Sequence, residues 1–265
     1  MKKQLIFIKF GGSVITDVNK PNTTRLGSIR RLVSEIKKAS NGKMIIAGHG
    51  GGSFPHVPAH RYKVNLGLIN SKSRIGTSIT QSSASELHHI IIEEMIKAGI
   101  AAFSFSPSSS VVANGKRIIS WDTRPMEKAL SSGFIPVVYG DMAIDAKQGV
   151  CVVSTEEIFR YLAGKFKPDK IIIGTDVEGV FSDDPKTVRN AKFIKRIGTA
   201  DIRKVVFSSA GRRYNVTGSM QSKVKLLYEI SKASSATCQI VNANVPGRVR
   251  DAILGKQVTS TMIRA

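Results

Sequence analysis

Cysteine is almost missing from this chain of 265 residues: Cys151 and Cys238 stand far apart, each inside an apolar run. That usage excludes a disulfide framework and a zinc cluster, and leaves two buried core thiols. Acidic residues are also scarce, 19 against 40 Lys and Arg, for a net charge of +21. No apolar run approaches the ~20 residues of a membrane-spanning helix. Met1-Lys2-Lys3 leads straight into a strand-like stretch with no small-residue cleavage signal behind it. The chain therefore reads as cytoplasmic, with no membrane partner. No Gly-x-x-x-x-Gly-Lys-Ser/Thr run occurs, which excludes a P-loop enzyme. Internal repeats and low-complexity linkers are absent as well.

Apolar residues make up 42% of the chain, enough for a globular core and too many for a disordered polyanion binder. The basic excess invites a nucleic-acid reading, but Lys and Arg are scattered through every segment and aromatics reach only 6%. No nucleic-acid partner is expected. A basic surface raises the encounter rate with small anionic substrates.

Short β-branched runs alternate with amphipathic segments, the pattern of an α/β protein with a mostly parallel sheet. Strands are expected at Leu5–Phe10, Met44–Ala47, Ala101–Ser106, Ile135–Tyr139, Ile171–Thr175, Cys238–Val241 and Val258–Ile263. Hairpins are expected around Asn114-Gly115 and Lys147-Gln148-Gly149. Helices are expected at Thr24–Ala39, Ile79–Lys97, Arg124–Ser131, Glu156–Phe166 and Gly218–Lys232, the second carrying Ile79, Leu87, Ile91 and Met95 at helical spacing. A soft division near Val150 splits one domain into halves of 1–150 and 151–265, each suited to one ligand.

Four loops carry the chemistry. Lys9-Phe10-Gly11-Gly12-Ser13 ends a strand in two glycines, where successive amides can form an anion nest beside a lysine charge. Gly48-His49-Gly50-Gly51-Gly52-Ser53-Phe54-Pro55-His56 packs four glycines into five positions, a density that points to a ligand lying on the main chain. Gly174-Thr175-Asp176-Val177-Glu178-Gly179 is a third strand-ending turn. At Thr217-Gly218-Ser219-Met220, Thr217 is the expected N-cap of a helix whose first amides favour negative charge, with Lys223 in its first two turns.

Together with Tyr139-Gly140-Asp141, these pieces resemble the amino-acid kinase superfamily over nearly the whole chain, and within it the isopentenyl phosphate kinases. The resemblance implies a three-layer αβα sandwich about roughly eight mainly parallel strands. It implies an acceptor in the N-terminal half, ATP with Mg²⁺ in the C-terminal half, and a homodimer. The carried-over catalytic set is Lys9, His56, Lys223 and Glu156. Gly11, Gly12, Ser13, Thr175, Asp176, Gly179, Gly218 and Met220 would join Lys9 and Lys223 at ATP. Gly50, Gly51, Gly52, Asp141, Ser154 and Thr155 would join His56 at the acceptor, and no protein metal ligand is assigned.

His56 marks the branch that acts on phosphate or phosphonate acceptors. Such an acceptor is already an anion, so the enzyme needs charge compensation and donors in place of a general base. Isopentenyl phosphate is the expected acceptor. A fosfomycin-type phosphonate kinase and a non-catalytic nucleotide sensor are the alternatives. An isoprenoid tail is expected against the Ile79–Met95 stripe.

Three departures from the family pattern stand out. Pro55 occupies the place of a glycine, deleting an amide donor or redirecting the loop. Ser154-Thr155-Glu156-Glu157 replaces Ser-Gly-Asp-Asp, keeping carboxylates and losing a glycine. Val18 replaces a lysine, for which Lys20 is the nearest substitute.

Overall fold

Strand β1 (Gln4–Phe10) is buried on both faces, which dictates layers on either side of it. The period of two sends Leu5 and Phe7 to one apolar cluster and Ile6, Ile8 and Phe10 to the other. Lys9 has the parity of Leu5 and Phe7. The computed structural model describes residues 3–185, 187–202 and 220–265.

Following β1 come α1 (Gly12–Ile15), α2 (Leu26–Ala39), β2 (Lys43–His49), α3 (His56–Arg61) and α4 (Ser71–Lys97). Next are β3 (Ala102–Ser104), β4 (Val112–Asn114), β5 (Arg117–Ser120), α5 (Arg124–Ser131), β6 (Ile135–Tyr139), β7 (Asp141–Asp145) and β8 (Gly149–Val153). The remainder holds α6 (Thr155–Phe166), β9 (Lys170–Thr175), β10 (Val180–Phe181), β11 (Phe193–Ile194) and β12 (Arg196–Ile197). Last are α7 (Met220–Ser234), β13 (Thr237–Asn242), α8 (Arg248–Ile253) and β14 (Ser260–Ile263).

Eight strands form one sheet in the order β12-β14-β13-β9-β1-β2-β6-β3, and the β13–β14 pair is antiparallel while its neighbours are parallel. Both halves of the chain contribute to it. Residues of α6 and α7 such as Phe159, Leu162 and Leu227 cover one face, and those of α2, α4 and α8 such as Leu32, Leu87 and Val249 cover the other. This is the expected αβα sandwich. The two expected hairpins, β4–β5 and β7–β8, join in a four-stranded sheet beside α6. Cys151 and Cys238 are free and buried, and burial pushes both thiols up to about 12.

Helix α4 departs from expectation by starting at Ser71, not Ile79. Its first turns bury Ser73, Gly76 and Thr80, so no apolar period announces them, and the start is fixed by an Asn70–Ser73 capping box. Ile79 faces solvent, 38% exposed, while Leu87, Ile91 and Met95 are core residues. Those three side chains therefore pack the sheet, and Ile79 at the solvent face is no part of that core. Helices α3 and α8 are six residues each, too short for a periodic signal.

Helix α6 is anchored by Glu157, which is 5% exposed. Its carboxylate accepts from the Ile118 N–H at 2.9 Å, Arg117 Nη1 at 3.0 Å and Arg160 Nη2 at 2.6 Å. Glu157→Ala strands the buried Ile118 amide and frees the β4–β5 hairpin from α6. We expect it to cost about 1–3 kcal/mol in urea unfolding; an unchanged midpoint and slope would show that the hairpin is held otherwise.

Candidate active site

The first two glycine loops lie at the carboxyl ends of the adjacent parallel strands β1 and β2, where ligands of open α/β sheets collect. Their glycines serve first to bring the loops together. A Cβ on Gly12 would collide with the backbone of Gly52, and one on Gly50 would stand 2.9 Å from the Gly12 nitrogen. Gly52 has φ +55° and leaves no room beside Thr16. Thr16, wholly buried, donates to the Gly12 carbonyl at 2.8 Å and accepts the Ser53 N–H at 3.0 Å, so one hydroxyl stitches both loops. Thr16 carries no mark in the sequence, because its second partner, Ser53, lies in a turn 37 residues away.

The departures in the second loop also find a physical account. A Cβ on Gly51 would collide with the Pro55 ring, so glycine and proline fit as a pair. Pro55 stands at the N-cap of α3 with φ −76°, and its carbonyl accepts the Ala59 N–H at 2.9 Å. Proline thus starts the helix that carries His56. The Gly50 N–H is bonded to the Phe10 carbonyl at 2.9 Å, which corrects the expectation that this amide serves an acceptor.

Parity puts Lys9 on the α6 face, and there its Nζ meets Glu156 Oε1 at 2.6 Å, with side-chain exposures of 7% and 3%. Burial alone would raise the Glu156 carboxyl; Lys9 and then Lys223 override it and hold it down to about 2. His56, partly exposed at the start of α3, is driven down to about 4 by burial and then by the charges of Lys223 and Lys9. Lys223 lies in the first turn of α7 and Met220 begins that helix, packing on the core. Lys9, Glu156, His56 and Lys223 therefore act on one another electrostatically although they come from β1, α6, α3 and α7.

Other expected residues take supporting places. The Ser154 hydroxyl caps α6 by accepting the Glu157 N–H at 3.1 Å, and the buried Thr155 hydroxyl donates to the His49 carbonyl at 2.6 Å. Of the two hydroxyls expected at the acceptor, one thus caps α6 and the other ties α6 to β2. Asp141, 2% exposed, accepts the Ser108 N–H at 3.1 Å and the Met142 N–H at 2.8 Å. Thr175 ends β9, its hydroxyl donating to the Val177 carbonyl at 2.9 Å, and Asp176 follows it. Gly179 is excluded from bearing a side chain by Thr261 and Phe193. Gly11 opens α1, with Ser13 in its single turn, and a Cβ there would stand 2.5 Å from the Gly174 carbonyl oxygen. Gly218 and the expected cap Thr217 lie outside the described residues. Val18 and Lys20 sit on an exposed turn. His49 and His88, the latter not anticipated, meet at 3.0 Å beneath the second loop.

Protonation follows from these positions. In the ligand-free protein His56 and His88 hold values of about 4, below the usual 6.5, so the unfolded chain takes up protons first as pH falls. Stability should be full above pH 6.5 and decline toward pH 4, with each histidine adding about 1.4 kcal/mol per pH unit at the steepest point. Urea unfolding at stepped pH tests this: His56→Ala should flatten the decline, and an equal decline in that variant would contradict an uncharged His56 in the folded protein.

Comparison with known proteins agrees with this geometry. The model of the amino acid kinase family matches residues 4–242. The isopentenyl phosphate kinase of Methanothermobacter thermautotrophicus is 32% identical, with 98% of each chain covered. That of Methanocaldococcus jannaschii is 33% identical over 95% of this chain and 96% of its own. A crystal structure described as isopentenyl phosphate kinase superposes with a TM-score of 0.85 at 29% identity, covering 98% of this chain and 100% of the other. With its sheet order, its paired glycine loops and these relatives in agreement, the chain belongs to the amino acid kinase family.

Proposed function

We propose that this chain transfers the γ-phosphoryl group of ATP to isopentenyl phosphate, giving isopentenyl diphosphate and ADP. The observation that carries the reading is the convergence of Lys9, Glu156, His56 and Lys223 at the meeting of two glycine loops. An acceptor phosphate oxygen attacks the γ-phosphorus while the bond to the β-bridging oxygen breaks, so no proton need be removed from the nucleophile. The obstacle is repulsion between two anions. Lys9 and Lys223 offset that charge, and Glu156 keeps Lys9 in place. His56, uncharged before ligand arrives, supplies a hydrogen-bond donor to the acceptor.

Gly11, Gly12 and Ser13 are assigned to the ATP phosphates, Thr175, Asp176, Gly179 and Met220 to the rest of the nucleotide, and the amides of Gly51 and Gly52 to the acceptor. The acceptor is thereby given to the half of residues 1–150, while ATP rests its phosphates on the first loop of that half and the remainder of the nucleotide on residues 151–265. Magnesium would enter with the nucleotide and neutralise phosphate charge. Among the described residues no group of three His, Cys, Asp or Glu side chains is arranged to hold it, and the nearby Glu156 carboxylate is bonded to Lys9. No step is assigned to the ion.

The hydrocarbon tail is assigned to the apolar side of His56, where Ala59, one turn beyond it on α3, packs in a small cluster with Val64, Met142 and Val150, joined by Tyr62 and Val152. The relatives favour this acceptor over a phosphonate and over a sensor without catalysis. No helix among the described residues is long and apolar enough to cross a membrane, and both cysteines are free thiols, which supports a cytoplasmic enzyme. A homodimer through the sheet edge is supported by β3, an outer strand bearing Phe103 at 47% exposure beside Phe134 at 38%.

Steady-state turnover with ATP and isopentenyl phosphate, fosfomycin or uridine monophosphate tests the assignment. Turnover should be greatest with isopentenyl phosphate, and no transfer to it would overturn the reading. His56→Ala should lower kcat by about 10²-fold, the loss expected for one preorganised donor. Lys223→Ala should lower kcat more than it raises the KM for ATP, because its charge matters most during transfer. A wild-type kcat in either variant removes that residue from the mechanism.

A further inference from the structure

The second glycine loop is attached to a chain of buried imidazoles that the proposed reaction does not use. His49 ends β2, 1% exposed, and its Nδ1 lies 3.2 Å from the Gly50 carbonyl oxygen. Its Nε2 lies 3.0 Å from Nδ1 of His88, which is 5% exposed in the middle of α4. Nε2 of His88 is 2.7 Å from the hydroxyl of Ser104 on the edge strand β3. Tyr139 stacks on both rings, with centroids 4.1 Å from His88 and 5.5 Å from His49.

One end of this chain decides every proton in it. A carbonyl oxygen only accepts, so the tautomer assigned to His49 carries hydrogen on Nδ1. Burial keeps both imidazoles uncharged near neutral pH. His49 Nε2 is then an acceptor and takes the Nδ1–H of His88. His88 Nε2 is left to accept the Ser104 O–H. Donation runs one way, from Ser104 through His88 and His49 to the Gly50 carbonyl.

The Gly50 N–H is held by the Phe10 carbonyl at 2.9 Å, so both main-chain groups of this glycine are fixed. In a planar trans peptide the N–H of Gly51 points opposite to the carbonyl of Gly50. We propose that His88 is a positioning residue: the Ser104–His88–His49 chain sets the Gly50–Gly51 peptide so that the Gly51 N–H is turned away from His49 and toward the acceptor phosphate. This rests on the reading of the second loop as the acceptor site. His88 itself touches neither substrate in this account, and acts through His49.

Two measurements separate the inference from the reading beneath it. Nitrogen-15 spectra of histidine side chains in the wild-type protein should show His49 and His88 both uncharged with hydrogen on Nδ1. Hydrogen on Nε2 of either ring overturns the chain whatever the variants do. Amide spectra should then show the Gly51 N–H shifting when isopentenyl phosphate is added; no shift there defeats the acceptor reading itself. With that shift present, His88→Phe keeps the stacking on Tyr139 and deletes both hydrogen bonds. It should lower kcat/KM for isopentenyl phosphate about tenfold or more, the loss of one charge-assisted bond, while KM for ATP holds. His88→Asn, whose amide can stand near the lost Nδ1–H, should recover part of it. Equal kcat/KM in wild type and His88→Phe would overturn the positioning role.

Discussion

The site depends on one buried ion pair, Lys9 with Glu156 at 2.6 Å. A lysine with 7% of its side chain exposed in a sheet interior needs a counter-charge, and a glutamate with 3% exposed needs the same in return. Each makes the other tolerable, and together they place a cation at the junction of the glycine loops. Removing Glu156 would leave Lys9 buried and unpaired, so the pair's structural and chemical duties cannot be separated by deleting one partner. Burial, and after it the charges of Lys223 and Lys9, hold His56 uncharged. A site built to receive two phosphates is thus electrostatically incomplete until they arrive.

Everything around that pair is arranged by strand parity. Position 9 of β1 faces α6, where Glu156 stands, because positions 5 and 7 do. On β2, Gly48 faces Thr155 and Phe159 of α6, while His49 turns to the opposite face and meets His88 of α4. Adjacent residues of one strand therefore serve different layers. The loops that follow these strands inherit the arrangement, and Thr16 locks them to each other.

Much of this was legible in the sequence. The strand at Ile135–Tyr139 and the helix at Arg124–Ser131 match their expected bounds, since apolar period and turn residues agree there. The start of α4 was hidden because Ser73, Gly76 and Thr80 are buried without an apolar signature. The glycine clusters announced close backbone approach, but not that much of it is loop against loop, since Gly12 and Gly52 are distant in sequence. Thr155 and Ser154 were placed by resemblance at the acceptor, whereas their hydroxyls bond to the His49 carbonyl and the Glu157 amide. His88 was invisible for the same physical reason as Thr16: a polar contact across 39 residues leaves no local pattern.

The central claim is that Lys9 and Lys223 clasp two phosphate groups end to end where the glycine loops meet. A crystal structure with a non-hydrolysable ATP analogue and isopentenyl phosphate measures it directly. The account predicts both ammonium groups within hydrogen-bond reach of the γ-phosphate, with His56 and the Gly51 amide on the acceptor phosphate. Either lysine turned away from the γ-phosphate, or the acceptor bound apart from the second loop, would contradict it.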